Sequence, residues 1–271
     1  MPAGGCRTTW CSLTRYLRPA WANSTRRCCG SALRAAPDPP DERAGAIVAA
    51  GIRKDYGDRA VLRGVDLSVG WGEIAVLFGA NGAGKTTLLR ILAGLTRADA
   101  GATQIAGQPM QGRGNRARRL VGFAGHQTML YNDLTCRENL EFYARLYGIR
   151  DAGGRIARVL EQANLSDRAN RRVRTLSHGM QKRLAMARAI LHEPPILLLD
   201  EPESGLDAES VEALGRFLRD WAALGRAALL TTHSAEVGLA WADRALTLAG
   251  GRIEADVATS DAGCADGGML Q

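Results

Sequence analysis

The chain has 271 residues, of which 46% are hydrophobic and 23% charged, and its formal charge is +7. This length allows one large or two small domains, and the composition is ordinary for a globular protein with a buried core. The charge does not indicate a nucleic-acid surface, because residues 1–44 hold seven arginines against three acids and account for +4 of it. No apolar run approaches the roughly 18 residues that cross a bilayer, so we predict a chain that does not span a membrane.

The two ends differ in composition from the middle of the chain. Residues 1–44 are rich in arginine and end in a proline-rich run, which predicts a disordered extension; a transit peptide and a mis-chosen start codon are the alternatives. Residues 255–271 are small and polar, and we predict a disordered tail there. Four of the six cysteines fall within the first 30 residues, and no pair has the spacing of a zinc or redox site.

Between these ends, apolar runs alternate with helical patterns. The predicted strands are 46–52, 60–69, 73–78, 102–106, 119–124, 196–200, 227–232 and 244–249. The predicted helices are 85–94, 135–147, 152–163, 178–191, 208–224 and 234–241. This alternation predicts a mostly parallel α/β sheet in a domain spanning 45–254. The block at about 129–181 is almost entirely helical and therefore predicts an inserted helical subdomain.

The strongest motif is the run GANGAGKT, residues 79–86, between an apolar strand and a helical pattern. It has the form G-x-x-x-x-G-K-[ST], in which glycines let successive backbone N–H groups point at phosphate oxygens. Lys85 can place its charge on the β- and γ-phosphates, and the Thr86 hydroxyl can ligate Mg²⁺. The sequence therefore predicts a binding site for a nucleoside triphosphate.

A second apolar strand supplies carboxylates for the same site. Four aliphatic residues, 196–199, run directly into Asp200 and Glu201. The carboxyl end of a strand is the edge at which ligands bind in an open α/β sheet. We expect Asp200 to hold Mg²⁺ and Glu201 to polarise the attacking water.

In order and spacing, these elements resemble the ABC-type ATPases, and the resemblance covers about residues 45–254. It implies a P-loop NTPase (RecA-like) core with an antiparallel β subdomain and an inserted α-helical subdomain, which binds ATP and Mg²⁺. The implied ATP contacts in the loop are Gly79, Ala80, Asn81, Gly82, Ala83, Gly84, Lys85, Thr86 and Thr87. The implied metal ligands are Thr86, Gln127 and Asp200.

The resemblance also gives roles to isolated residues that carry no signal alone. Tyr56 matches the aromatic residue that stacks on adenine. Gln127 matches the glutamine that contacts Mg²⁺ and the lytic water, and His233 matches the histidine that contacts the γ-phosphate. With Lys85 and Glu201 these two complete the expected catalytic set. Asp207, in the run SGLD, matches a loop that crosses to a second subunit.

The family's signature motif appears here as LSHGM, residues 176–180. In the family it starts a helix aimed at the γ-phosphate held by the opposite subunit. Ser177 keeps the hydroxyl that caps such a helix, Gly179 keeps the space, and the backbone N–H of His178 remains able to donate. Met180 departs from the family's usual glutamine, whose amide points toward the ribose, so we predict weaker ribose contact and a retained γ-phosphate contact.

These resemblances imply partners and a location. Each site needs the phosphate loop of one chain and the signature of another, so we expect a dimer, either a homodimer or a heterodimer of ABC subunits. We expect separate transmembrane permease subunits, a peripheral position on the cytoplasmic face of the inner membrane, and no nucleic acid.

The most specific expectation concerns the identity of the transported molecule. The sequences of residues 125–149 and 176–202 resemble those of the ATP-binding subunit of the bacterial haem exporter used in cytochrome c maturation. The alternatives are the ATPase subunit of a drug or ABC-2-type efflux transporter, and a soluble ABC ATPase of the iron–sulfur assembly type.

Overall fold

A computed structural model describes residues 45–110 and 116–259, in which the chain forms two β-sheets flanked by helices. The predicted N-terminal extension lies outside the described residues, as does the predicted tail beyond residue 259. Among the described residues, no helix combines the length and hydrophobicity required to cross a membrane.

The first sheet is antiparallel and has four strands in the order β2-β1-β4-β5. These strands are β1 (Ile47–Tyr56), β2 (Arg59–Val69), β4 (Ala100–Ile105) and β5 (Gln108–Pro109). The long β1–β2 hairpin buries alternate residues, among them Ile52, Leu62 and Val65, against the rest of the core. This sheet is the antiparallel subdomain that the sequence predicts.

The second sheet has six strands in the order β10-β9-β3-β8-β7-β6. They are β3 (Ile74–Phe78), β6 (Val121–Ala124), β7 (Ile196–Asp200), β8 (Ala227–Thr231), β9 (Arg244–Ala249) and β10 (Arg252–Ala258). The five strands other than β10 are parallel, and β3, β7 and β8 are buried along their whole length. Burial on both faces explains why these strands read as unbroken apolar runs.

The described residues form six α-helices: α1 (Lys85–Leu92), α2 (Cys136–Tyr147), α3 (Ala152–Gln162), α4 (His178–Ile190), α5 (Ala208–Ala223) and α6 (Ala235–Trp241). Side-chain caps fix several starts; Thr135 and Glu138 form a reciprocal capping box at α2. Between β6 and β7 the chain is helical, as predicted, although the expected boundary at residue 181 falls inside α4. The two sheets and the helical insertion confirm the predicted architecture.

The C-terminal boundary requires a correction. We expected residues from 255 onward to be disordered, but β10 continues to Ala258 and pairs antiparallel with β9. The pairing is reinforced by Arg244, which forms ion pairs with Asp256 on β10 and with Glu73. The hydrophobic pattern does not predict this strand, because its residues are mostly exposed and it therefore lacks an apolar run.

Candidate active site

The parallel strands bring the expected catalytic segments to one edge of the sheet. The phosphate loop follows β3, Asp200 ends β7 with Glu201 directly after it, and His233 lies two residues after β8. Because β3, β8 and β7 are neighbours in this order, their carboxyl ends are adjacent. This is the edge at which ligands bind in open α/β sheets.

The phosphate loop depends on glycine at two tightly enclosed positions. Gly79 has φ 149°, and an added Cβ would lie 2.3 Å from the carbonyl oxygen of Leu248. Gly84 has φ 109°, and a Cβ there would lie 2.8 Å from a methyl group of Leu62. Only glycine combines this backbone conformation with this proximity, so the surrounding strands determine the curl of the loop.

Lys85 begins α1 and is buried beneath the loop. Its Nζ donates to the carbonyl oxygens of Gly79 and, at 3.2 Å, of Ala80. Burial lowers the pKa of Lys85, and the carboxylates of Glu201 and Asp200 partly oppose that shift. The loop thus surrounds a buried cation, and this arrangement fits the binding of the phosphates of ATP.

Asp200 is held by two hydroxyl groups. Its Oδ1 accepts from Thr86 Oγ1 at 3.2 Å and from Thr231 Oγ1 at 2.8 Å. The side chain is 4% exposed, and it lies beside the hydroxyl expected to ligate the metal. A carboxylate and a hydroxyl side by side are oxygen donors of the kind Mg²⁺ prefers, so these residues fit the implied ion.

Glu201 occupies a backbone conformation that is uncommon for a non-glycine residue, with φ 51°. Its backbone N–H donates to both oxygens of Thr231, each at 3.1 Å, and its carbonyl accepts from Lys182 Nζ at 3.3 Å. This backbone turn directs the Glu201 carboxylate toward His233, whose Nε2 lies 2.6 Å from Oε1. The Glu201 carboxylate and the His233 imidazole are therefore in contact at the edge of the sheet that carries the phosphate loop.

Of these groups, the phosphate loop, Glu201 and His233 line one cavity of about 270 Å³, and Asp200 lies next to it through its contact with Thr86. Its walls are loop residues 80–82 and 84–87, together with Glu201, His233 and Tyr56. The Tyr56 ring is 52% exposed at the mouth, where an adenine ring could stack on it. Arg59, which the sequence did not single out, also lines this cavity.

The signature motif lies outside this cavity. The resemblance implies this for a single chain, because the motif is expected to contact ATP held by the opposite subunit. Ser177 caps α4 by accepting from the N–H of Met180 at 3.3 Å. The His178 ring packs over Gly205, where an added Cβ would be 3.1 Å from Cδ2 of the imidazole. Absence of a side chain at Gly205 therefore makes room for the unusual histidine.

Met180 has a contact that the sequence did not indicate. Its side chain is partly buried and packs against the apolar core beneath α4. The thioether therefore has a packing role within the chain besides its position in the motif.

Gln127 and Asp207 are also outside this cavity. Gln127 is exposed in the irregular segment after β6, and Asp207 is exposed at the start of α5. Asp207 accepts from the N–H of Ser210 at 2.8 Å, and its hydrogen bonds with the side chain and the backbone of Ser210 lower the pKa of its carboxyl. Within one chain Asp207 is thus a helix cap, and its expected role toward ATP stays a prediction.

A larger cavity, about 450 Å³, lies elsewhere, lined by Arg119, Tyr147, Arg155 and His192 among others. Burial lowers the pKa of His192 to about 4, so its ring is neutral at physiological pH. None of the expected ATP residues lines this cavity. This cavity is therefore not the candidate active site, although it is the larger of the two.

Thr231 is a residue that sequence reasoning missed, and its hydroxyl provides a test. It is fully buried and joins Asp200 to the backbone of Glu201. We expect Thr231→Val to lower the free energy of unfolding by about 1–3 kcal/mol, because it leaves a buried carboxylate oxygen and an N–H without this partner. ATP turnover is expected to fall as well.

Chemical denaturation and steady-state ATPase assays check this expectation. Thr231→Ser is the matched control because it keeps the hydroxyl. If the serine variant loses as much turnover as the valine variant, the role of the hydroxyl is contradicted.

Met180 provides a second test. We expect Met180→Gln to tighten ATP binding by about 0.5–1.5 kcal/mol, the net contribution of one hydrogen bond, and to change turnover less. Met180→Leu, which keeps the apolar contact and adds no amide, is the control. Equal ATP affinity of the two variants in titration calorimetry would count against a ribose contact at this position.

Comparisons with known proteins agree with this geometry. Residues 62–204 match the family model described as ABC transporter. The chain is 39% identical over 220 residues to Nod factor export ATP-binding protein I of Burkholderia orbicola (strain AU 1054), covering 79% of this chain and 72% of the relative. The protein of the same name from Ralstonia nicotianae (strain ATCC BAA-1114 / GMI1000) is 38% identical over 221 residues, covering 79% and 69%.

Solved structures show the same fold. An ATP-binding subunit of an ABC transporter superimposes with a TM-score of 0.74 at 30% identity, covering 80% of this chain and 91% of the other. The dimeric ATP-binding cassette MJ0796 bound to ADP and Pi superimposes with a TM-score of 0.73 at 26% identity, covering 79% and 98%. The family model and these relatives agree with the phosphate loop and the carboxylates beside it: the chain belongs to the ABC transporter family, as an ATP-binding subunit with ATPase activity.

Proposed function

We propose that this chain is the ATP-hydrolysing subunit of an export-type ABC transporter, acting as a dimer with separate membrane subunits. The observation that carries the proposal is the division of the ATP-binding groups within one chain. The phosphate loop, Glu201 and His233 share one cavity, whereas Ser177 and the start of α4 do not line it.

A second subunit resolves this division. The start of α4 presents a capping hydroxyl, free backbone N–H groups and the positive end of a helix dipole, features that bind phosphate groups. Docking this end against the phosphate cavity of another copy would complete two equivalent sites. The dimeric cassette of similar fold described above supports this arrangement.

We propose that Mg²⁺ is held by Thr86 and Asp200, with Gln127 joining when ATP is bound. The ion would neutralise charge that develops on the phosphate oxygens during transfer. Thr231 keeps the Asp200 carboxylate oriented toward Thr86, so the donor pair is positioned before ATP arrives.

Hydrolysis then relies on residues already in contact. Lys85 can release the loop carbonyls and donate to the β- and γ-phosphates. Glu201 can accept a hydrogen bond from the attacking water, while its bond to His233 fixes the orientation of the carboxylate. His233, 48% exposed on its side chain, lines the same cavity and would face the γ-phosphate there.

The relatives bear on the transported molecule. Those described above are named for Nod factor export. They support the efflux-type alternative over haem export, for which they offer no support. We therefore propose export of a cargo by separate permease subunits.

The surface of α2 and the segment before it supports a membrane partner. Tyr131, Phe142 and Leu146 are exposed to 50%, 37% and 60%, and the first two rings contact edge to face. Grouped exposed apolar side chains mark interaction sites more often than chance exposure does. We propose that the permease binds here, which would place the chain peripherally on the cytoplasmic face of the membrane.

Purification of the tagged full chain from its own cells in mild detergent tests the proposal, with mass spectrometry of co-eluting proteins. We expect efflux-type permease subunits in the eluate, and fewer of them when Leu146→Glu is introduced into the exposed surface. Haem-exporter permeases in the eluate would contradict the proposed cargo class. A soluble assembly scaffold in place of a membrane protein would contradict the transporter role itself.

A further inference from the structure

Arg188 is a buried cation without a carboxylate partner among the described residues. It lies in the last turn of α4, the helix that begins at the signature motif, and it is 7% exposed. Burial lowers its pKa, yet a guanidinium remains charged at any physiological pH. A charge buried at this cost without an ion pair requires a structural or functional reason.

The contacts of Arg188 converge on the segment that carries Gln127. Its NH2 donates to the carbonyl of Phe123 at 2.6 Å, four residues before Gln127. Its NH1 lies 3.6 Å from Sδ of Met129, two residues after Gln127. One side chain therefore contacts both ends of the Gln127 segment.

A second helix completes the arrangement. The Arg188 guanidinium lies 5.2 Å from the centre of the Tyr143 ring on α2, within range of a cation–π interaction. The Tyr143 hydroxyl in turn donates to the carbonyl of Met129 at 2.5 Å, where the backbone has φ 54°. Together Arg188, Tyr143 and Met129 join α4, α2 and the Gln127 segment.

We propose that Arg188 is a positioning residue, which places Gln127 for hydrolysis and ties its position to that of α4 and α2. Gln127 is exposed in a segment without helix or strand, so its location depends on the anchors at either end. A shift of the helical subdomain would move these anchors and thereby Gln127. The proposal rests on the role proposed above for Gln127 in ATP hydrolysis, and it does not depend on the cargo or the permease.

A double-mutant cycle on the purified full chain tests this inference. We expect Arg188→Met to lower kcat roughly 10- to 100-fold through misplacement of Gln127, with little change in ATP affinity. We expect Gln127→Ala to lower kcat as well, and the double variant to be no slower than Gln127→Ala alone, because both changes remove one function. Arg188→Lys, which retains one donor for the Phe123 carbonyl, is expected to recover part of the loss.

Controls separate positioning from stability. Arg183→Met removes another arginine of α4, which donates to the carbonyl of Ala163 at 3.3 Å, and we expect its effect to multiply with that of Gln127→Ala. If Arg188→Met does not fold, Tyr143→Phe removes the bond to Met129 and enters the same cycle. Multiplicative effects of Gln127→Ala with Arg188→Met, or with Tyr143→Phe, would overturn the proposal.

Discussion

Lys85→Ala is expected to abolish most ATP hydrolysis, with kcat falling roughly 10²- to 10³-fold, the cost of removing one well-placed donor from a transition state. Lys85 is the buried cation of the phosphate loop, and its Nζ is held by the loop carbonyls of Gly79 and Ala80. Alanine leaves the loop without the charge that we expect to contact the β- and γ-phosphates. ATP affinity is expected to fall along with turnover.

Arg90→Ala is the matched control for Lys85. Arg90 is a basic residue on the exposed face of the same helix, α1. We expect it to leave kcat and KM unchanged, which would show that loss of a cation from α1 is not itself harmful. Hydrolysis retained by Lys85→Ala in a steady-state assay would contradict the assignment of the phosphate loop.

Glu201→Gln is expected to lower turnover by a similar factor while ATP binding persists. The amide nearly preserves the size of the carboxylate and can still bond to His233, but it cannot polarise a water as a carboxylate does. We therefore expect ATP to stay bound and uncleaved, as measured by titration calorimetry beside a phosphate-release assay. Lost turnover with retained ATP binding would show that Glu201 acts in the chemical step and not in ATP binding.

Glu203→Gln is the control for that substitution. Glu203 is an acid two residues along that bonds to Thr232 and not to His233. We expect it to keep turnover within a fewfold of the unmodified chain. Equal losses for the two glutamine variants would mean that position 201 has no special role in the chemistry.

Much of the fold was accessible from the sequence because its signals are local. The runs at β3, β7 and β8 are apolar throughout, since both faces are covered, and the phosphate loop follows β3 directly. Strand β10 was missed because a mostly exposed strand carries no hydrophobic run. Its available signal was Gly250-Gly251, which lies at positive φ between β9 and β10 and is typical of a tight hairpin.

The parts of the site that were not predicted depend on tertiary contacts. Thr231 and Lys182 each contact the 200–201 segment from a distant position in the chain, and no spacing rule links them to it. The fit between His178 and Gly205 likewise exists only once α4 packs beside the loop after β7. Contacts of this kind, between residues far apart in the chain, cannot be read from a single sequence.

The proposed dimer is the central claim, and the molar mass of Glu201→Gln in solution tests it most directly. Light scattering with ATP and Mg²⁺ is expected to give twice the mass of one chain, and the single mass without nucleotide, because two uncleaved ATP molecules hold two subunits together. Adding Ser177→Arg, which places a bulky side chain at the start of α4, is expected to restore the single mass. A single mass for Glu201→Gln with saturating ATP and Mg²⁺ would contradict the dimer and the division of the site on which it rests.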